Sequence, residues 1–509
     1  MCYSSNRKHA SLIALIVSCT FISTTAFATD YDRYGHYGMR AKFQIVKHQV
    51  NRNTMNIADN FSAITGNTVS ISDLDARIAD LEGNRSQAGR KFVDVDCNTN
   101  PDALLQPPVH GTYRDDTTYN ISGRCNGPLY VSGDRVRFIG VEAGAAIVLP
   151  GGIPNPGDGA VFADGAHDLR LQNLLIDVSA WGDSGAVGSG AAGVYARNAF
   201  VRVIDAQIVG GLYGINPFRN AIVRTQGTVE VTGFVYNGIT VGDQSLFSSS
   251  GPVLISSGVA DSGYLRALEV YRDGLVDIRA GLTIQIPPEN EETGFEPRAI
   301  NVSRSSHLNI RNRGEVDIQG PVAVHSGSTA NIDGGFIGGD IDTSGGSSVA
   351  LGALSIEGGL SAESGSSVVL SGIEMEGDLE VSLASALEVY DSTQTDGSIA
   401  LDKNSAANFE NSSVGEIVVQ LASSFSADGG HVGGAQLSQG AYGRFAGTNV
   451  WGSVRLFAPS NIVFQQEDGS GSLNGNTIYL CGNTSSFIDN GIRMTGPVVD
   501  GCLGNPYQD

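Results

Sequence analysis

Residues Ser347–Ser367 read SSVALGALSIEGGLSAESGSS. The stretch closes on the serine pair with which it opens, and Ser366-Ser367-Val368-Val369-Leu370 starts the phrase again. Inside it, apolar residues alternate in three-residue bursts (V-A-L, L-S-I, L-S-A) separated by Gly and Ser. Alternation at period two means strand, and bursts this short cannot be helices.

Working outward, one apolar column runs Ile341, Leu360, Leu379, Ile399, Ile417, Ala435 and Val454, at intervals of 19, 19, 20, 18, 18 and 19 residues. A second runs Ile332, Leu351, Leu370, Val389 and Phe409. One unit is therefore three short strands and three turns. No unit buries its inner side chains alone, so the units must stack into an all-β coil with parallel sheets on its sides. The first column continues upstream as Ile300, Leu268, Ile239, Ile215 and Ala196, with wider spacing. Inserted loops are expected at SLFSSSGP from Ser245 and IPPENEETGFEP from Ile286. DLRLQNLLIDV from Asp168, NAFVRVIDAQIV from Asn198 and NAIVRTQGTVEV from Asn220 share the double burst. At ~20 residues per turn, residues 118–466 give ~17 turns stacked ~4.8 Å apart.

This periodicity resembles the right-handed parallel β-helix superfamily, the pectin-lyase-like fold of pectate lyases, polygalacturonases and many bacterial surface proteins. The resemblance implies a capping helix at Val93–Gln106, with YNISGRCNGPLYV from Tyr119 as the first turn. It implies no particular enzyme. The GHG and RIK motifs of polygalacturonases are absent, and the one DD, Asp115-Asp116, falls in the first turn. There is no Asp cluster like that which binds Ca²⁺ in pectate lyases, and no sequence signature calls for a metal or cofactor.

The ends differ from the repeat. Residues 1–28 have a basic start at Arg7 and Lys8, an apolar run and Ala26-Phe27-Ala28, the pattern of a cleaved signal peptide. A membrane anchor and lipidation at Cys19 are the alternatives. Each makes the protein exported, into the periplasm, the envelope or the medium. Export leaves Cys97, Cys125, Cys481 and Cys502, which allow three pairings. The local pairs 97–125 and 481–502 would seal the two ends, and a zinc site lacks supporting histidines. Residues 29–90 carry Ile71, Leu74, Ile78 and Leu81 at heptad spacing. That run is either an amphipathic helix or a homo-oligomer seam over residues 70–82. The β-helix then occupies 91–470 and a C-terminal cap 471–509.

Charge narrows the partners. The chain has 509 residues and a net charge of -22, which argues against nucleic acid. Seven arginines nonetheless fall between Arg266 and Arg313, in a 48-residue span. RALEVYR from Arg266 aligns with RAINVSR from Arg298, which places Glu269 beside Asn301 and Arg272 beside Arg304 on the outer face. The same alignment sets Tyr271 beside Ser303, and neighbouring turns add Tyr195, Arg197, Thr240, Asp243 and His325. Such a face suits a carbohydrate: a ring for Tyr271 to stack on, hydroxyls or carboxylates for the rest. A polysaccharide lyase or glycoside hydrolase would draw its catalytic groups from Asp243, Glu269, Arg272 and Arg304. A solvated face of exposed ion pairs on a surface stalk or adhesin is the third reading.

Overall fold

The computed structural model describes residues 90–495 apart from 106–112, 152–158, 182–190, 258–263, 289–295, 312–314, 395–396, 458, 466–471, 474–477, 482–485 and 490–491. The signal-peptide segment, the heptad run, Cys19 and Cys502 lie outside the described residues.

The alternating bursts form strands, and each strand pairs in parallel with its counterpart one turn on, three strands to a turn. The first sheet begins with Leu129–Val131, Gly159–Asp164 and Ala192–Arg197 and continues to Ile478–Cys481. The second begins with Lys91–Asp96 and Thr117–Ser122, and the third with Arg124–Asn126 and Ala146–Val148. The result is a parallel β-solenoid of about 15 turns with almost no helix. The sequence count of ~17 is slightly high because inserted segments consume residues without adding a turn. Parallel pairing runs on to Ser486–Asp489, where the chain reverses into the antiparallel Ile492–Thr495.

The register agrees with the apolar columns. Ile341, Leu360, Leu379, Ile399, Ile417, Ala435 and Val454 are successive partners in the first sheet. Ile332, Leu351, Leu370, Val389 and Phe409 are successive partners in the second. All are buried. Upstream the column departs at one point. Ile215 pairs with Val194, and Ala196 pairs with Pro217, two residues further along the same inward face.

Two further expectations change. SLFSSSGP is no inserted loop: Leu246–Ser249 is a regular strand between Ile222–Thr225 and Leu275–Ile278, with Phe247 pointing into the core. Its serines disguised a strand whose inward residue carries the packing. The segment Lys91–Asp96 is a strand on Thr117–Ser122, followed by turns from Cys97 to Leu105, with no capping helix there. Alternation in Phe92-Val93-Asp94-Val95 fits the sheet beside it better than a helix. The Cys97–Cys125 disulfide does join this end to the first full turn, with Cα atoms 5.1 Å apart. Cys481 ends the last strand of the first sheet, and its expected partner Cys502 is outside the described residues.

The recurrent serine has a structural cause. After most first-sheet strands from Tyr213–Phe218 onward the chain turns through two residues with positive φ and then places a small buried residue. The pairs Arg304-Ser305, Ser326-Gly327, Ser364-Gly365, Leu383-Ala384, Lys403-Asn404 and Leu421-Ala422 are such turns. The serine that follows is buried and stacks on its counterparts. Ser306 N donates to Ser328 Oγ at 3.2 Å, Ser328 N to Ser347 Oγ at 3.2 Å and Ser366 N to Ser385 Oγ at 3.1 Å. The ladder satisfies amides that a close-packed corner would otherwise leave unpaired.

Candidate functional site

Outward side chains of the first sheet form one continuous row along the stack. Tyr130, Phe162 and Tyr195 are in register, Tyr195 pairs with Asn216, and Thr240, Glu269, Asn301 and Ala323 continue the line. The row thus changes from aromatic to polar. Where it becomes polar, a cleft of about 530 Å³ opens.

Glu269 lies at the centre of the cleft floor. Asn237 Nδ2 donates to its Oε2 at 2.6 Å and the Tyr264 hydroxyl to its Oε1 at 2.8 Å, while Asn301 Nδ2 stands 3.5 Å from Oε1. Each of these groups is neutral. Because a carboxylate only accepts, these contacts fix the amide orientations. Asn237 Nδ2 also donates to Thr240 Oγ1 at 2.8 Å, so Asn237 Oδ1 faces away from both. Asn237 is 2% exposed, and its Oδ1 and that of Asn216 are buried acceptors with no hydrogen-bond partner among the described residues.

Asn301 Oδ1 turns the other way. It takes the Nε2 proton of His325 at 2.9 Å and lies 3.4 Å from Arg298 Nη1. The His325 ring therefore carries its proton on Nε2 and keeps Nδ1 as an acceptor. Burial, and then the charge of Arg298, lower the His325 pKa, so the ring is neutral at pH 7. Tyr213, Tyr264 and Tyr271 stand around the floor. Burial and the Glu269 charge push Tyr264 up to about 12, and burial with the Asp243 and Glu269 charges does the same to Tyr271. These phenols remain hydrogen-bond donors at any physiological pH.

The structure divides the predicted face. Thr240, Glu269, Tyr271, Asn301, Arg304 and His325 line the cleft. Tyr195 and Arg197 do not. Tyr195 stacks on Phe162 at 5.4 Å, and Arg197 pairs with Asp164 at 2.5 Å and covers the Phe162 ring. Arg272 and Arg304 occupy equivalent turn positions, with φ of 51° and 56°. Their side chains have different surroundings: Arg272 is 3.4 Å from Asp243 and lies over the Tyr271 ring, whereas Arg304 is on the cleft rim. Sequence reasoning missed Tyr213, Asn216, Asn237 and Tyr264. The signal for Asn237 was available, because it stands one turn before Arg266 in the same outward column.

The cleft can offer hydrogen-bond acceptors on its floor, aromatic rings on its walls and one cation on its rim. Glu269 is the sole carboxylate among its described lining residues. Hydrolysis by a carboxylate pair needs two across the bond, and Asp243 is not among the lining residues. Among the described residues no group of acidic, His or Cys side chains could hold a metal ion. Comparison with protein-family models, curated proteins and solved structures finds no match to this chain.

Proposed function

We propose that this protein is an exported β-solenoid of the pectin-lyase-like kind, held at the cell surface or released, that binds carbohydrate in the Glu269 cleft. One observation carries the reading: Glu269 on the cleft floor is an acceptor whose hydrogen-bond partners among the described residues, Asn237, Tyr264 and Asn301, are all neutral. A carboxylate half open to a cleft takes further donors. Sugar hydroxyls supply them in a planar, repeated array, and the tyrosine rings offer faces for the apolar side of a pyranose. The half-buried Glu269 carboxylate repels an anion, so the floor favours a neutral glycan over the acidic one that an arginine face would select. The regular acidic turns from about residue 326 to 466 serve as a stiff spacer.

Titration calorimetry of the protein against neutral and acidic oligosaccharides tests this. Binding of a neutral member that is lost in Glu269→Ala, with unchanged melting, supports the proposal. No binding across the neutral set would leave a stalk or adhesin. Release of shortened products from the same panel would replace binding by catalysis.

A further inference from the structure

A second feature lies on the second sheet, away from the cleft. Arg137 pairs in register with Arg170, Arg170 with Arg202, and Arg202 with Arg224. Four outward arginines thus occupy four successive turns of a chain whose net charge is -22. The three downstream members sit in the phrases DLR, AFVR and AIVR, ahead of the arginine-rich span that the sequence reading singled out. At ~4.8 Å per turn the ladder extends ~14 Å along the rod. The same outward column continues as Ser248 and Asp277, so the ladder ends at Arg224.

The guanidiniums are held in place. Arg202 and Arg224 lie over the Phe200 ring at 5.2 and 5.5 Å, and Arg202 Nε is 2.9 Å from Asp168 Oδ1. All four side chains are half-buried. Like charges stacked this closely repel by on the order of a kcal/mol per neighbouring pair even in watery surroundings. The charges of Arg90, Arg170 and Arg202 add to burial in lowering the pKa of Arg137. The adjoining outward column, two residues further on, is uncharged: Ile139, Gln172, Ile204 and Gln226.

We propose that this ladder is a binding site for an acidic polysaccharide lying along the rod axis, with its carboxylate or sulfate groups meeting successive rungs. Arginine suits both groups because its planar fork gives two parallel hydrogen bonds to each. The spacing selects the polymer. Each strand of a DNA duplex advances one phosphate per ~3.4 Å of the helix axis, out of step with rungs ~4.8 Å apart, and the acidic chain opposes so dense a polyanion. A polymer with about one charge per sugar fits the rungs better and meets less repulsion.

Affinity electrophoresis and titration of the full chain would use polygalacturonate for the carboxylate, dextran sulfate for the sulfate, and dextran and single-stranded DNA as comparisons. One or both acidic glycans should bind at low salt, neutral dextran should not, and the affinity should fall as salt is raised. The double change Arg137→Gln/Arg170→Gln should weaken binding by at least about tenfold. A second variant removes doubt about folding: Gln172→Glu/Gln226→Glu places carboxylates beside the rungs, so binding should be lost while melting holds or rises. Absence of glycan binding, equal binding by these variants, or tighter binding of DNA would overturn the proposal. Glu269→Ala leaves this site intact, so the ladder and the cleft fail or stand separately.

Discussion

Asn237 and Glu269 stand on consecutive turns, and Asn237 Nδ2 lies 2.6 Å from Glu269 Oε2. This contact organises the cleft floor, because it fixes the Asn237 amide with Nδ2 on the carboxylate. Asn237→Asp should therefore be more damaging than Asn237→Ala. It sets a second carboxylate against Glu269 in a site that is 2% exposed at Asn237, where a like-charge contact is costly. Thermal melting should show the Asp variant below the Ala variant. The reverse order would mean that Glu269 is not ionised in the fold.

The tyrosines predict an alkaline limit. Tyr264 and Tyr271 titrate at about 12, above the ordinary phenol value of 10.0, so the fold binds those protons more tightly than the unfolded chain does. Stability from this source is fully present below pH 10 and is lost as pH rises from about 10 towards 12. Phenolate absorbance followed alongside circular dichroism should show these rings ionising late, together with unfolding. Titration of both rings near pH 10 in an intact fold would refute the influence of the cleft and the Glu269 charge on them.

His325 gives the acid counterpart. Its folded pKa is lowered, so the unfolded chain takes the proton first as pH falls below the ordinary value of 6.5. The stability it contributes is present above that value and is lost as pH falls through the folded one. Protonation also sets the ring beside Arg298, whose Nη1 is 3.5 Å from Nε2. Replacing His325 by Asn should flatten the acid limb of the stability profile. An unchanged limb would assign it to other groups.

The solenoid was readable because its cause is local and repeated. A buried residue every 19 or so positions leaves a periodic trace, and Leu351, Leu370 and Val389 stack as that trace implies. The cleft was half readable. Glu269 and Asn301 follow from the alignment of two phrases, whereas Tyr264 reaches the floor from an inserted segment whose path no repeat dictates. The arginine ladder was hidden for another reason: Arg170, Arg202 and Arg224 sit in phrases already matched by their apolar letters, and only register shows that their charges coincide.

The turns carry strain that can be relieved. Leu383-Ala384 and Leu421-Ala422 adopt φ of 55°, 63°, 49° and 61°, a region that costs a residue bearing Cβ roughly 1 kcal/mol or more. Glycine at Ala384 or Ala422 removes that cost and pays back part through greater freedom of the unfolded chain. Each change should raise stability by about 0.5 kcal/mol, and the two should add because they lie two turns apart. Denaturant midpoints check this. A loss on either change would show that the methyl groups pack usefully at the corner.

Beyond the last rung of the ladder, the same outward column reaches Asp277, which is 3% exposed. Arg279 Nη2 lies 2.6 Å from its Oδ2, Asn309 Nδ2 donates to Oδ1 at 2.9 Å, and Arg311 Nε is 3.6 Å away. A buried carboxylate holding two arginines is worth more intact than its net contribution suggests, since removing it takes a counter-charge from both cations. Those arginines are 32% and 38% exposed and recover some hydration, which limits the loss. Asp277→Asn should accordingly cost about 1–3 kcal/mol in chemical denaturation. Adding Arg279→Leu to Asp277→Leu should recover part of the cost of Asp277→Leu alone, because one of the two cations that lost this partner goes with it. If the double variant is no more stable than Asp277→Leu, the contribution of Asp277 lies in its bond to Asn309 and not in the ion pair.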